Sequence, residues 1–85
     1  MIYLEQYQII KLDNNKKYLI INSIIHDNNN FIYLININNY KDQLIGLVTK
    51  NNNIEINIVD SKSKENKVLI EILSNKFVNN IIEGV

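Results

Sequence analysis

Two apolar runs, Tyr18–Ile25 and Phe31–Ile37, flank the polar stretch His26-Asp27-Asn28-Asn29-Asn30. Ile-rich runs of this length, carrying Tyr and Phe and bounded by Asn and Asp, read as strands joined by a turn. Lys17–Asn38 is therefore predicted to be a β-hairpin at the centre of a small sheet. A strand wetted on one side alternates apolar and polar residues, whereas a strand covered on both sides is apolar throughout. Both parities are apolar in Tyr18-Leu19-Ile20-Ile21 and in Phe31-Ile32-Tyr33-Leu34; polar residues enter only at Asn22, Ser23, Asn36 and Asn38. One end of the hairpin is thus expected to be covered on both faces.

The flanking segments extend the same pattern. Met1–Tyr7 fits a first strand or one helical turn equally well. Gln8–Leu12 reads as a strand and Asp13-Asn14-Asn15-Lys16 as a turn, since Asn and Asp bond nearby backbone and tolerate positive φ. Asn39-Tyr40-Lys41-Asp42-Gln43 reads as a loop. Leu44–Lys50 is the next strand, with Gly46 marking a bulge or a close backbone approach. After Asn51-Asn52-Asn53, the segment Ile54-Glu55-Ile56-Asn57-Ile58 alternates cleanly. It is expected to turn its isoleucines inward and to lie at a sheet edge, where one wet, charged face is typical.

The apolar period changes from 2 to 3.6 across Asp60–Lys64. Ser61 or Ser63 is positioned to cap a helix over residues 65–82, and Gly84 to end it. Leu69, Ile70, Leu73, Phe77, Val78, Ile81 and Ile82 fall on one wide stripe, with Val68 and Ile72 alongside. Burying the first six at about 1.5–3 kcal/mol each supplies on the order of 10 kcal/mol or more, the scale of a small domain's net stability. The expected fold is α+β in one domain. Residues 1–59 form an antiparallel meander of about five strands, 60–64 a connection, and 65–82 a helix packed on one face. One helix covers one face, so the other calls for a protein partner or a second copy of the chain.

Composition narrows the function classes. Nine basic and nine acidic residues balance to zero, which argues against nucleic acid and against a polybasic membrane patch. All the basic residues are Lys, removing the usual bidentate reader of phosphate and guanine. Without Cys there is neither a disulfide framework nor a thiolate metal site. The 18 Ile, 17 Asn and 9 Lys, with no Ala, Pro or Arg, reflect A/T-rich codons and point to a low-GC bacterium, its phages or its plasmids. That bias also accounts for the Asn clusters. Met1-Ile2-Tyr3-Leu4-Glu5 has no positively charged leading region, and no apolar run approaches the ~20 residues of a membrane span. A cytoplasmic location is the expectation.

No catalytic, metal or cofactor motif emerges. His26 beside Asp27 suggests general-base chemistry only superficially, because adjacent strand residues point to opposite faces; a solvated hairpin position is expected. Asp13, Asp27, Asp42 and Asp60 fall in expected turns or loops without the ligand spacing of a Ca²⁺ loop. The tyrosines are more informative, since Tyr suits both strands and interface hot spots. Tyr18 and Tyr33 are expected to neighbour each other across the hairpin. With Ile20, Ile32, Leu34 and Tyr40 they are the candidate partner-binding residues.

Lys17-Tyr18-Leu19-Ile20-Ile21, Asp27 in the turn, Phe31-Ile32-Tyr33-Leu34, and a late apolar strand running into a helix that ends near Phe77 together resemble the YrzB-like small proteins of low-GC Gram-positive bacteria. The resemblance covers most of Lys11–Ile82 and implies no catalytic residue. The expectation is a non-enzymatic protein-binding module that occupies a partner's surface, as phage- or plasmid-encoded inhibitors and regulators do. The alternative is a homo-oligomeric single-strand nucleic-acid binder with Tyr platforms ringed by Lys.

Overall fold

The computed structural model describes residues 6–83, and their side chains as far as residue 79. Expectations for Met1–Glu5, for Gly84 and for the side chains of Ile81 and Ile82 lie outside the described residues. The elements run β1 (Ile9–Lys11), β2 (Lys17–His26), β3 (Asn29–Asn36), β4 (Asn39–Lys50), β5 (Ile54–Ile58) and α1 (Lys64–Glu83). The strands form one antiparallel sheet in the order β1-β2-β3-β4-β5. This is the α+β meander with one C-terminal helix that the periodicity predicts.

Local chemistry explains the turns. Asp27 and Asn28 have φ of 49° and 64°, which makes the β2–β3 link a two-residue turn of the primed kind that matches strand twist. Asn15 has φ of 65°, and the Asn14 Oδ1 accepts the Lys16 N–H at 2.9 Å. At the start of α1 the Ser63 Oγ accepts the Asn66 N–H at 3.0 Å, so Ser63, rather than Ser61, is the cap. Ser63→Ala is expected to lower stability by about 1 kcal/mol, read as a shift in urea midpoint against Ser61→Ala as control.

Two features of the ladder depart from expectation. First, Asn39–Gln43 is strand, not loop. Its polar character has a structural use: the register jumps from Ile35↔Gln43 to Asn36↔Asn39, leaving Tyr40, Lys41 and Asp42 bulged and free to turn polar groups to neighbours. Second, β2 carries a bulge at Ile21, between the pairs Ile20↔Leu34 and Asn22↔Tyr33. An extra residue reverses the parity of everything beyond it. Tyr18 and Ile20 therefore face one side of the sheet, whereas Ile24, of the same parity in sequence, joins the other side.

The apolar stretch of the hairpin is covered on both faces, by two different means. Phe31, Ile24, Tyr33, Ile45 and Leu47 pack with Val59 beneath Leu69, Leu73 and Phe77 of the helix. On the opposite face Tyr18, Ile20, Ile32, Leu34 and Val48 are buried without a helix, joined by Ile10, Leu12, Leu44 and Ile56. The sheet curls over that face. In a flat sheet β1 and β5 would stand about 19 Å apart, four strand spacings; here Lys11–Asn14 and Ile54–Ile58 line a single cavity. The expectation that an outside body must roof the second face is corrected, because flatness was the assumption behind it and the curl supplies the roof.

At Gly46 side chains of β3 and β5 press close to the backbone of β4. A Cβ there would lie 2.8 Å from the Ile56 Cγ2 and 3.4 Å from the Ile32 Cγ1, so of the two readings for this glycine the structure shows the close approach. The helix uses only part of its stripe. Leu73 and Phe77 are buried and Leu69 and Ile70 half-buried, but Val68, Ile72 and Val78 are exposed. At 100° per residue these three lie 100° or more around the helix from Leu73, beyond the arc that one sheet face covers.

Candidate functional site

The six candidate partner-binding residues separate into three groups. Tyr18, Ile20, Ile32 and Leu34 are interior, each no more than 1% exposed, and present no open surface. Tyr33 sits on the helix-covered face, its ring 5.6 Å from that of Phe77 and its hydroxyl donating to the Gln43 Oε1 at 2.6 Å. Tyr40 is 75% exposed and stands apart, its carbonyl accepting from the Gln43 Nε2. Tyr18 and Tyr33 are not neighbours: Tyr18 pairs with Asn36 and Tyr33 with Asn22, on opposite faces. The hairpin register sets them four residues apart along β2, and the bulge at Ile21 puts them on opposite faces.

Tyr18 anchors a polar cluster at one end of the curled face. Its hydroxyl donates to the Asp42 Oδ2 at 2.5 Å, and the Asn36 Nδ2 donates to the same oxygen at 3.0 Å. The Asn36 Oδ1 in turn accepts the Asn38 N–H at 2.8 Å, so the buried Asn36 is satisfied from both ends of its amide. Burial, then the hydrogen bond to Asp42, raises the Tyr18 pKa above its ordinary 10.0. The Tyr18 hydroxyl, then Asn36, lowers that of Asp42 below its ordinary 3.8. The arrangement orients groups and stabilises a carboxylate.

The signs give a pH prediction. A carboxylate with a depressed folded pKa contributes stability present above its unfolded pKa and lost as pH falls through the folded one; a phenol with a raised pKa contributes stability lost as pH rises through it. Tyr18→Phe is therefore expected to flatten both the acid limb below pH ~4 and the alkaline limb above pH ~10. Urea midpoints across pH check it. Unchanged limbs would show that the hydroxyl adds nothing.

His26 and Asp27 do approach, with the His26 Nε2 3.4 Å from the Asp27 Oδ2, because positive φ at Asp27 returns its side chain toward the strand. The expectation of opposite faces is corrected, and His26 is partly buried beside Phe31 rather than solvated. Among the described residues no group of three or more His, Cys, Asp or Glu is placed to hold a metal ion. No helix of the described residues is long and apolar enough to cross a membrane.

A feature with an open binding geometry and free backbone groups is the seam between the two edges of the curled sheet. Its cavity, about 610 Å³, is lined by Lys11, Leu12, Asp13 and Asn14 on one side and by β5 on the other. The Val59 N–H donates to the Ile45 carbonyl at 2.8 Å, and the register runs without a shift from there to Ile54. In an antiparallel ladder such bonds recur at every second residue. Asn57 and Glu55 therefore turn their backbone groups to β4, while the N–H and C=O of Ile54, Ile56 and Ile58 point out into the seam. The side chains of these isoleucines share the curled face, with Ile54 and Ile58 still 42% and 40% exposed. The sequence identified this strand as an edge but not as a site; its signal was the Ile-x-Ile-x-Ile alternation, read as core filling alone. No family model, curated protein or solved structure matches the chain.

Proposed function

We propose that this chain is a small, non-enzymatic protein-binding module that acts by occupying a surface of another protein, and that it does so through the seam beside β5. The observation that carries this reading is the outward row of backbone donors and acceptors at Ile54, Ile56 and Ile58, set against an open cavity of mixed polar and apolar lining. A free sheet edge is a template for another strand: main-chain bonds give affinity, and alternate side chains give selectivity. The Ile- and Asn-rich composition supports an origin in a low-GC bacterium or one of its mobile elements, with action in the cytoplasm. Tyr18 and Tyr33 are engaged inside the fold, and no observation favours the nucleic-acid alternative.

Ile58→Pro tests the reading. The Ile58 N–H faces the seam, so proline there removes an outward donor without removing a bond to β4. A partner retained by immobilised wild-type protein is expected to be lost from the variant, with the circular dichroism spectrum unchanged. Equal retention by a folded Ile58→Pro protein would refute the seam as the binding surface.

A further inference from the structure

Resting on that reading, we propose the kind of partner: an extended segment of another protein, apolar at alternate positions, that enters the seam as a sixth strand antiparallel to both β5 and β1. The topology argues for it first. Five strands in a meander leave the first and last running in the same direction. β1 and β5 therefore cannot close on each other in the antiparallel manner of the rest of the sheet. One strand inserted between them, opposite in direction to both, makes every neighbouring pair antiparallel.

The hydrogen-bonding groups agree. On the far side of the seam the Ile20 N–H donates to the Gln8 carbonyl and the Leu12 N–H to the Lys16 carbonyl. The even residues of β1 thus face β2, and the backbone groups of Ile9 and Lys11 are turned outward. The entering strand meets outward groups on both flanks. Residues opposite Ile54, Ile56 and Ile58 share their face, because directly paired residues project to the same side of a sheet. Those alternate residues rest on Leu12 and the three isoleucines and must be apolar. The intervening residues project to the outer side, where β1 carries Lys11 and β5 carries Glu55. Opposite charges on the two flanks cancel in net charge and favour neither sign between them, which suits uncharged polar side chains such as Thr. A second copy of this chain fits less well: its β5 arrives with its own β4 already bonded along one side, so it can pair with one flank of the seam but not with both.

The probe is a synthetic peptide of alternating Val and Thr, long enough to span β5 and blocked at both ends, added to the full chain under native-state amide exchange. Exchange at Ile54, Ile56 and Ile58 is expected to slow by about tenfold or more, while Glu55 and Asn57, already bonded to β4, change little. Methylating the peptide nitrogens that pair with β5 is expected to abolish the effect, and this control leaves the protein unaltered. If the peptide leaves all three amides unchanged, the inference fails; a partner that still depends on Ile58 would then leave the module reading standing. Protection that grows with protein concentration and no peptide overturns the inference in favour of a second copy in the seam. Protection already present in the free chain at every dilution overturns both readings, because the seam is then filled by the chain itself.

Discussion

Leu73→Ala is expected to reduce the unfolding free energy by about 2–5 kcal/mol, a large part of the 5–15 kcal/mol typical of a whole domain. Leu73 is 0% exposed and lies between Phe31 of the sheet and Phe77 one turn further along the helix. Truncation removes apolar contact and leaves a void that two aromatic rings cannot fill without moving. Among the described residues the helix-covered face has no other lid, so the loss falls on the docking of α1 as a whole. Urea denaturation followed by both far-ultraviolet circular dichroism and tyrosine fluorescence tests this. Ile72→Ala, on the exposed flank of the same helix turn, is expected to cost well under 1 kcal/mol. Equal costs at the two positions would mean that the helix does not pack through Leu73.

Gly46→Val is expected to destabilise by about 1–3 kcal/mol, by overfilling rather than emptying. The position is extended and needs no special φ; what it needs is space. The nearest obstacle to a new Cβ is the Ile56 Cγ2, a branch held close to its own backbone, so β5 itself must shift. Ile56→Ala, costly alone, is expected to recover at least ~1 kcal/mol in the Gly46→Val background, a coupling of the size seen between touching residues. Simple additivity in that double-mutant cycle would show that Gly46 is not where β5 is held against the curl.

These two sites also mark where the sequence is and is not legible. The change of period after Asp60 was readable, because an amphipathic helix and an alternating strand differ in the spacing of their apolar residues. The edge position of β5 was readable from Glu55 and Asn57. The facing of β2 was not, since Tyr18-Leu19-Ile20-Ile21 is apolar in both parities and nothing in such a run announces the extra residue at Ile21. The strand at Asn39–Gln43 was hidden by polarity whose purpose, holding Tyr18 and Asn36 through Asp42, exists only in three dimensions. The curl was announced by Gly46 alone, and a single glycine in a strand has several explanations. From that one ambiguity followed the mistaken need for an external cover, and with it the choice of Tyr18, Ile20, Ile32 and Leu34 as surface residues. Ile54, Ile56 and Ile58 were overlooked because the alternation that tells of inward side chains also fixes the outward backbone, and only the first half of that information looks like function.

A meander also has a kinetic meaning. Every strand pairs with its neighbour in the chain, so each ladder forms after a short loop closes, and the search that slows sheets with distant pairings is largely avoided. The sequence contains no proline, which removes the isomerisation that commonly leaves part of a refolding population waiting for tens of seconds. Refolding by dilution from urea is accordingly expected to finish in a single fast exponential, with no slow residual amplitude.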